Sequence, residues 1–216
     1  MKVTFLGTSH AAQHLALAAH ERGFELTYPR NAELVFVSQD TPTDSDGRRD
    51  MEIIKELVRY VSCSVPVVLT SQVEPGFTRS LGLSIYHQAE TLRIIDAVER
   101  ARNPEMLIVG AEDPSKPLPD AYRAYLEAFK CPILLMTWEE AEFAKIAINA
   151  TLISQVENTN RLAGAAEKVG AKWGAIAEVL RHDSRIGPKA YLTPGRWQDS
   201  KHLLRDHVTL EAILAR

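Results

Sequence analysis

The first residues with chemical capacity lie near the N-terminus. Gly7-Thr8-Ser9-His10-Ala11-Ala12 follows the strand-like run Lys2-Val3-Thr4-Phe5-Leu6 and opens an amphipathic stretch. A strand, a turn begun by glycine and a helix make the first unit of a dinucleotide-binding fold, in which backbone amides at the helix N-terminus meet a diphosphate. Glycines serve there because the backbone must approach the phosphates closely. Here only Gly7 keeps that character. The second glycine position is Ser9, whose side chain crowds a diphosphate, and the third is Ala12, which such turns tolerate. The carboxylate that usually follows the second strand and holds the ribose hydroxyls is absent from Thr27-Tyr28-Pro29-Arg30. The turn reads either as a weakened dinucleotide site or as a strand-to-helix turn kept for structure.

Other candidates are sparser. Lys145 and Asn149 stand four apart in a helical pattern, so they share a face. Together they are able to stabilise developing charge and bind a polar substrate, or simply to form a solvated face. His10 and His14 have the same spacing and are able in principle to hold a metal, but the sequence offers no third ligand and no metal is assigned. Cys63 and Cys131 fit neither a disulfide framework nor a ligand pattern, and are expected to be small buried side chains just ahead of strands.

The elements that must position these residues alternate over the N-terminal part. Strands are expected at Lys2–Leu6, Phe24–Tyr28, Leu34–Val37, Val65–Leu69, Leu83–Tyr86, Met106–Val109 and Ile133–Met136, and helices at His10–Arg22, Met51–Val61 and Ala121–Phe129. Strands alternating with helices mean βαβ units and a parallel sheet. From Glu139 to Val169 a helical pattern runs without proline for about 30 residues, roughly 45 Å. Trp173–His182 and Asp199–Leu214 read as further helices, separated by a loop over Ile186–Gly195. The expected architecture is α/β: a Rossmann-like parallel sheet over residues 1–137, then an all-α segment over 138–216. The long helix carries Ile146, Ile148, Leu152, Ile153, Val156 and Leu162, more apolar surface than one small domain buries, and predicts a homodimer through residues 139–169.

Composition narrows the class. In 216 residues, 25 Lys and Arg stand against 28 Asp and Glu, a net formal charge of −3, and the basic residues are scattered. That balance gives no electrostatic footprint for nucleic acid or an anionic membrane. No apolar run reaches the roughly 18 residues of a membrane span, and Gly7 comes too early for a secretory signal. A cytoplasmic protein acting on a small molecule is the expectation.

Several further segments together resemble the UDP-glucose/GDP-mannose dehydrogenase family. Its third strand leads into a Gly-Thr-Pro loop, and here the stretch is Leu34-Val35-Phe36-Val37-Ser38-Gln39-Asp40-Thr41-Pro42. Its Ser-Thr-Val-Pro-Pro-Gly-Thr-Thr-Arg is similar to Ser71-Gln72-Val73-Glu74-Pro75-Gly76-Phe77-Thr78-Arg79, and its Asn-Pro-Glu-Phe-Leu-Arg to Gln88-Ala89-Glu90-Thr91-Leu92-Arg93. Asn103-Pro104 to Val109-Gly110 resembles its Asn-Pro-Asp-Arg-Ile-Val-Ile-Gly strand. On the long helix, Ala141-Glu142, Lys145, Asn149 and Asn160 fall at the family's spacing, followed by Gly170, and Asp183-Ser184-Arg185-Ile186-Gly187 matches Asp-Pro-Arg-Ile-Gly.

The resemblance implies an enzyme that oxidises a sugar 6-hydroxyl to a carboxylate in two hydride transfers to NAD. It places Gly7, Thr8, Ser9, Thr41 and Pro42 beside the cofactor. It gives Lys145 and Asn149 the roles of charge stabilisation and substrate binding, Asp206 that of assisting the thiol chemistry, and Glu90 that of base on the thioester. The family's cysteine falls on His202. An imidazole moves protons near neutral pH, but it does not capture an aldehyde as an oxidisable adduct the way a thiolate does. Gln72 stands where the family has threonine, and the glycine-rich Gly-Tyr-Gly-Gly-Ser-Cys loop has become Trp197-Gln198-Asp199-Ser200-Lys201-His202. Between the second and third strands the family has a helix and strand bordering adenosine, where this chain has only a turn. The family continues into a domain for the UDP half, which this chain is expected to lack. Three readings follow: a reduced relative with weak or altered dinucleotide or nucleotide-sugar binding and no four-electron oxidation, a single-step NAD-dependent alcohol oxidoreductase, or a non-catalytic interaction or regulatory subunit.

Overall fold

The computed structural model describes residues 1–44, 48–61 and 65–216, and of Ile94 only the backbone. Cys63 lies outside the described residues. The chain divides into two compact units, one of residues 1–44 and 49–145, the other of residues 146–216 with Arg48 counted in it.

The first unit is built on a seven-stranded sheet in the order β2-β1-β3-β4-β5-β6-β7. Its strands are β1 (Lys2–Leu6), β2 (Glu25–Leu26), β3 (Leu34–Val37), β4 (Val67–Leu69), β5 (Tyr86–Ala89), β6 (Leu107–Ala111) and β7 (Ile133–Thr137). Neighbours run parallel except β5 and β6, which pair antiparallel through His87–Gly110, Gln88–Val109 and Ala89–Ile108. The sheet is therefore α/β and mostly parallel rather than wholly so. Hydrophobic periodicity does not record strand direction, so the sequence carried no sign of this reversal.

β3 shows why such a sheet needs helices on both faces. Leu34 and Phe36 point into one core with Val3, Val68 and Val109, and Val35 and Val37 into another with Val67 and Leu69. The first core is closed by α1 (His10–Glu21) through Ala18 and Ala19, by Ala101 of α4 (Ala97–Arg102), and by α5 (Asp120–Glu127) through Tyr122, Tyr125 and Leu126. Phe36 stacks on Phe5 at 4.6 Å and meets Tyr125 at 4.5 Å, distances at which aromatic pairs add to their area burial. Ile54 and Val58 of α2 (Glu52–Tyr60) cover the second core. A strand buried on both sides reads as the continuous apolar run Leu34-Val35-Phe36-Val37.

Most boundaries shift by a residue or two from the sequence expectation, and β2 and β5 shift further. β2 is two residues long at the sheet edge, because a short 3-10 turn at Pro29–Asn31 takes over. β5 lies at Tyr86–Ala89 rather than Leu83–Tyr86. It was disguised by buried polar side chains: Gln88 accepts a hydrogen bond from Tyr122 Oη at 3.1 Å, and His87 is buried with Nδ1 unpartnered. Burial pushes the His87 imidazole down to about 4, so it sits in the sheet as the neutral ring. The short helices α3 (Phe77–Ser80) and α4 carry too few turns to show a period.

A single helix, α6 (Trp138–Lys168), follows β7, and its first two turns belong to the α/β unit. The sequence changes character at Trp138, but the contacts divide after Lys145 because these turns are bound to the sheet. Trp138 Nε1 donates to the Ile85 carbonyl at 2.9 Å. Glu142, 1% exposed, accepts from the amides of Gly76 at 2.6 Å and Thr78 at 2.8 Å. Gly110 permits the approach, since a Cβ there would lie 2.9 Å from Ala141 Cβ.

The second unit contains the rest of α6, then α7 (Trp173–His182) and α8 (Lys201–Leu214). Its core gathers Ile153 and Val156 of α6 around Trp197, with Tyr191, Leu203 and Leu204. The long 183–200 connection is tied down by side chains of α6. Thr159 donates to the Tyr191 carbonyl at 2.8 Å, and Asn160 both donates to and accepts from the Gly195 backbone, at 2.8 and 2.9 Å. Of the six apolar α6 positions in the dimer expectation, Ile146, Ile153 and Val156 are buried within the chain itself, leaving Ile148, Leu152 and Leu162 at least partly exposed. Among the described residues no helix is long and apolar enough to cross a membrane.

Candidate functional site

In an open sheet of this kind a ligand binds at the C-terminal ends of the strands where the order reverses. The chain leaves β1 for β2 on one side and returns to β3 on the other, so that crevice lies between the ends of β1 and β3. Gly7 ends β1 and Ser38-Gln39 follows β3, which puts the glycine turn and the third-strand loop face to face.

Gly7 is held at φ +114°, and a Cβ on it would lie 2.2 Å from the Ser38 carbonyl oxygen. Only glycine fits this combination of backbone angle and close approach. Ser9 is the N-cap of α1: its Oγ accepts from the Ala12 amide at 2.9 Å and donates to the Ser38 carbonyl at 2.8 Å, with Ser38 Oγ 3.0 Å away. Gln39 reaches back from β3, and its Oε1 accepts from the Thr8 amide at 2.9 Å. Its own amide donates to Ser71 Oγ at 2.9 Å, which fixes the loop that carries the side chain.

The amides of Thr8 and Ala12 are among the donors that a helix N-terminus offers to an anion. Here each is already bonded to an oxygen of the protein. A diphosphate would have to compete with Gln39 and with the Ser9 cap for these two amides. Residues 27–33, between β2 and β3, form only the Pro29–Asn31 turn and its flanks. The other cofactor candidates lie on the neighbouring loop. Thr41 is buried and donates to the Gln72 carbonyl at 3.4 Å, and the Pro42 carbonyl accepts from the Asp50 amide at 2.8 Å.

The catalytic candidates are divided between the units. Glu90 belongs to the α/β unit. Its carboxylate accepts from the Leu92 amide and borders a cavity of about 30 Å³ with Thr70, Gln88 and Tyr125, room for about one water. Lys145 is half-buried on α6. Asn149 and Asp206 come together in the helical unit, where Asn149 Nδ2 donates to Asp206 Oδ2 at 2.5 Å and both residues are buried. Arg205 Nε lies 3.8 Å from Asp206 Oδ1, and Arg205 Nη2 donates to His202 Nδ1 at 3.4 Å. A buried amide bonded to a buried carboxylate beside a buried guanidinium is a polar network that ties α6 to α8.

Sequence reasoning missed Gln39, Ser38 and Ser71, and treated Glu142 only as part of a spacing pattern. The partners of these residues are 29 to 66 positions away, and no local motif announces such a pairing. Cys131, by contrast, is the free thiol next to a strand that the sequence predicted, although only half-buried, and burial pushes it up.

The first unit has a Rossmann-like α/β fold, and a helical unit follows it in the chain. Residues 139–213 match the model of the UDP-glucose/GDP-mannose dehydrogenase family, central domain. The chain is 29% identical over 187 residues to UDP-glucose 6-dehydrogenase YwqF of Bacillus subtilis, covering 76% of this chain and 41% of that protein. It is 28% identical over 178 residues to the uncharacterized protein MJ1054 of Methanocaldococcus jannaschii, covering 74% of this chain and 20% of that one. The solved structure of a UDP-D-ManNAc dehydrogenase from Pyrococcus horikoshii shares the fold at a TM-score of 0.75 and 14% identity, covering 100% of this chain and 70% of that one. This chain is similar to the UDP-glucose/GDP-mannose dehydrogenases over these stretches, and it spans less than half the length of the curated relatives named here.

Proposed function

We propose that this chain is a reduced relative of the nucleotide-sugar dehydrogenases, one that binds dinucleotide weakly and does not carry out the four-electron oxidation. The observation that carries the proposal is the Gln39 side chain on the Thr8 amide, with Ser9 on the Ala12 amide. A diphosphate would have to displace both, losing hydrogen bonds that are each worth about 1 kcal/mol net. The second half of the family reaction also requires a thiolate, and His202 aligns with that position. Asn149, the residue that would position substrate, is already engaged by Asp206. The family context still supports NAD as the ligand class, a nucleotide or sugar as the small molecule, and an oxidoreductase ancestry.

The test is stoichiometric. The chain is incubated with NAD and UDP-glucose, and NADH is followed by absorbance, with Lys145→Ala as the control for contaminating enzyme. The expected result is no NADH above that control. Two NADH per sugar, abolished in Lys145→Ala, would overturn the proposal; one NADH per alcohol would replace it with the single-step oxidoreductase.

A further inference from the structure

His10 and His14 lie in the first two turns of α1, and the proposed function uses neither. Their spacing of four brings the rings to a centroid separation of 4.2 Å at 77°. The two Nε2 atoms face each other at 2.9 Å. At that distance the pair either shares one proton or holds one ion. Two imidazole nitrogens about 2.0–2.1 Å from a common ion subtend roughly 90° when they are this far apart, a workable chelate angle. Both rings must be neutral for this, and burial with the neighbouring His10 ring lowers the His14 imidazole toward that form.

The pair borders an open cleft of about 440 Å³, closed on its other side by the segment that starts α4. Ile95, 90% exposed, and Val98 supply its apolar wall, and Asp96 and Glu99 its carboxylates. Asp96 is held by Arg93 and Arg100, and Glu99 accepts from Asn103 Nδ2 at 2.9 Å. Among the described residues no group of three or more His, Cys, Asp or Glu stands close enough to hold an ion. Any ion on the imidazoles therefore keeps positions for water or for a donor entering the cleft.

We propose that His10 and His14 form a two-imidazole chelate for a d-block divalent cation of the copper–zinc class, whose remaining positions open into this cleft. Imidazole selects Cu, Ni and Zn, whereas Mg and Ca demand oxygen ligands.

Cu²⁺ is the probe, since it heads the affinity order for nitrogen sites. The full chain is titrated by calorimetry, and its copper spectrum is recorded by electron paramagnetic resonance. The expected result is one Cu²⁺ per chain with a two-nitrogen signature, and no response to Mg²⁺. Affinity should fall at least about tenfold in His10→Gln and again in His14→Gln, each a loss of one ligand bond. His10 is exposed on the first turn, so His10→Gln reports on the site even if His14→Gln melts early. Unchanged copper affinity in the double variant, or no binding at about 100 µM Cu²⁺ in the native chain, overturns the chelate.

Discussion

Replacing Gly7 by alanine is expected to lower the stability of the α/β unit by about 4 kcal/mol, combining backbone strain with overpacking. The new Cβ would be placed 2.2 Å from the Ser38 carbonyl oxygen, which is backbone and pinned by the β1–β3 ladder. The positive φ of +114° adds strain that no side-chain movement relieves. For a chain of this size that loss corresponds to roughly 10 °C in melting temperature. Gly76→Ala is the internal comparison. Gly76 also has a positive φ, +92°, but nothing lies within 4 Å of its would-be Cβ, so only the conformational cost of about 1 kcal/mol applies. Thermal denaturation of both variants separates close approach from backbone angle. Equal losses in the two would show that Gly7 is retained for its dihedral and not because Ser38 crowds it.

The second large effect belongs to Asp206. Asp206→Ala removes the acceptor of Asn149 and leaves Arg205, 7% exposed, without its adjacent carboxylate. Removing one partner from a buried charged pair typically costs about 3–5 kcal/mol, far more than the net worth of the pair. Denaturant unfolding, followed by tryptophan fluorescence to which Trp173 and Trp197 of the same unit contribute, should show that loss. Asp206→Asn keeps the size and one acceptor oxygen and should recover part of it. A purely catalytic Asp206 would behave differently, with Asp206→Ala changing turnover and leaving the unfolding midpoint where it was.

The strong periodic and apolar segments were readable in advance because they satisfy their own geometry locally. β1, β3, α1 and α7 lie where the apolar runs and the helical period put them. β5 was misplaced because His87 and Gln88, polar yet buried, broke the apolar pattern that marks a buried strand. The candidate site was legible only on one side. Gly7 and Ser9 announce a turn that is crowded for a diphosphate, but Gln39 is 31 positions away and meets Thr8 only after β1 and β3 pair. The Asn149–Asp206 contact spans 57 positions, and the family resemblance gave the two residues separate roles without pairing them. The resemblance suggested chemistry for that pair; burial and hydrogen bonding give it an architectural role as well.

The central claim is that Gln39 and Ser9 hold the Thr8 and Ala12 amides that a dinucleotide would otherwise use. Calorimetric titration of NAD into the native chain and into Gln39→Ala tests it directly, because that change frees the Thr8 amide and leaves the Ser9 cap intact. The account predicts a dissociation constant of about 1 mM or weaker for the native chain, and binding tightened about tenfold in Gln39→Ala, the worth of one hydrogen bond restored to the ligand. Micromolar NAD binding by the native chain, left unchanged by Gln39→Ala, would contradict it.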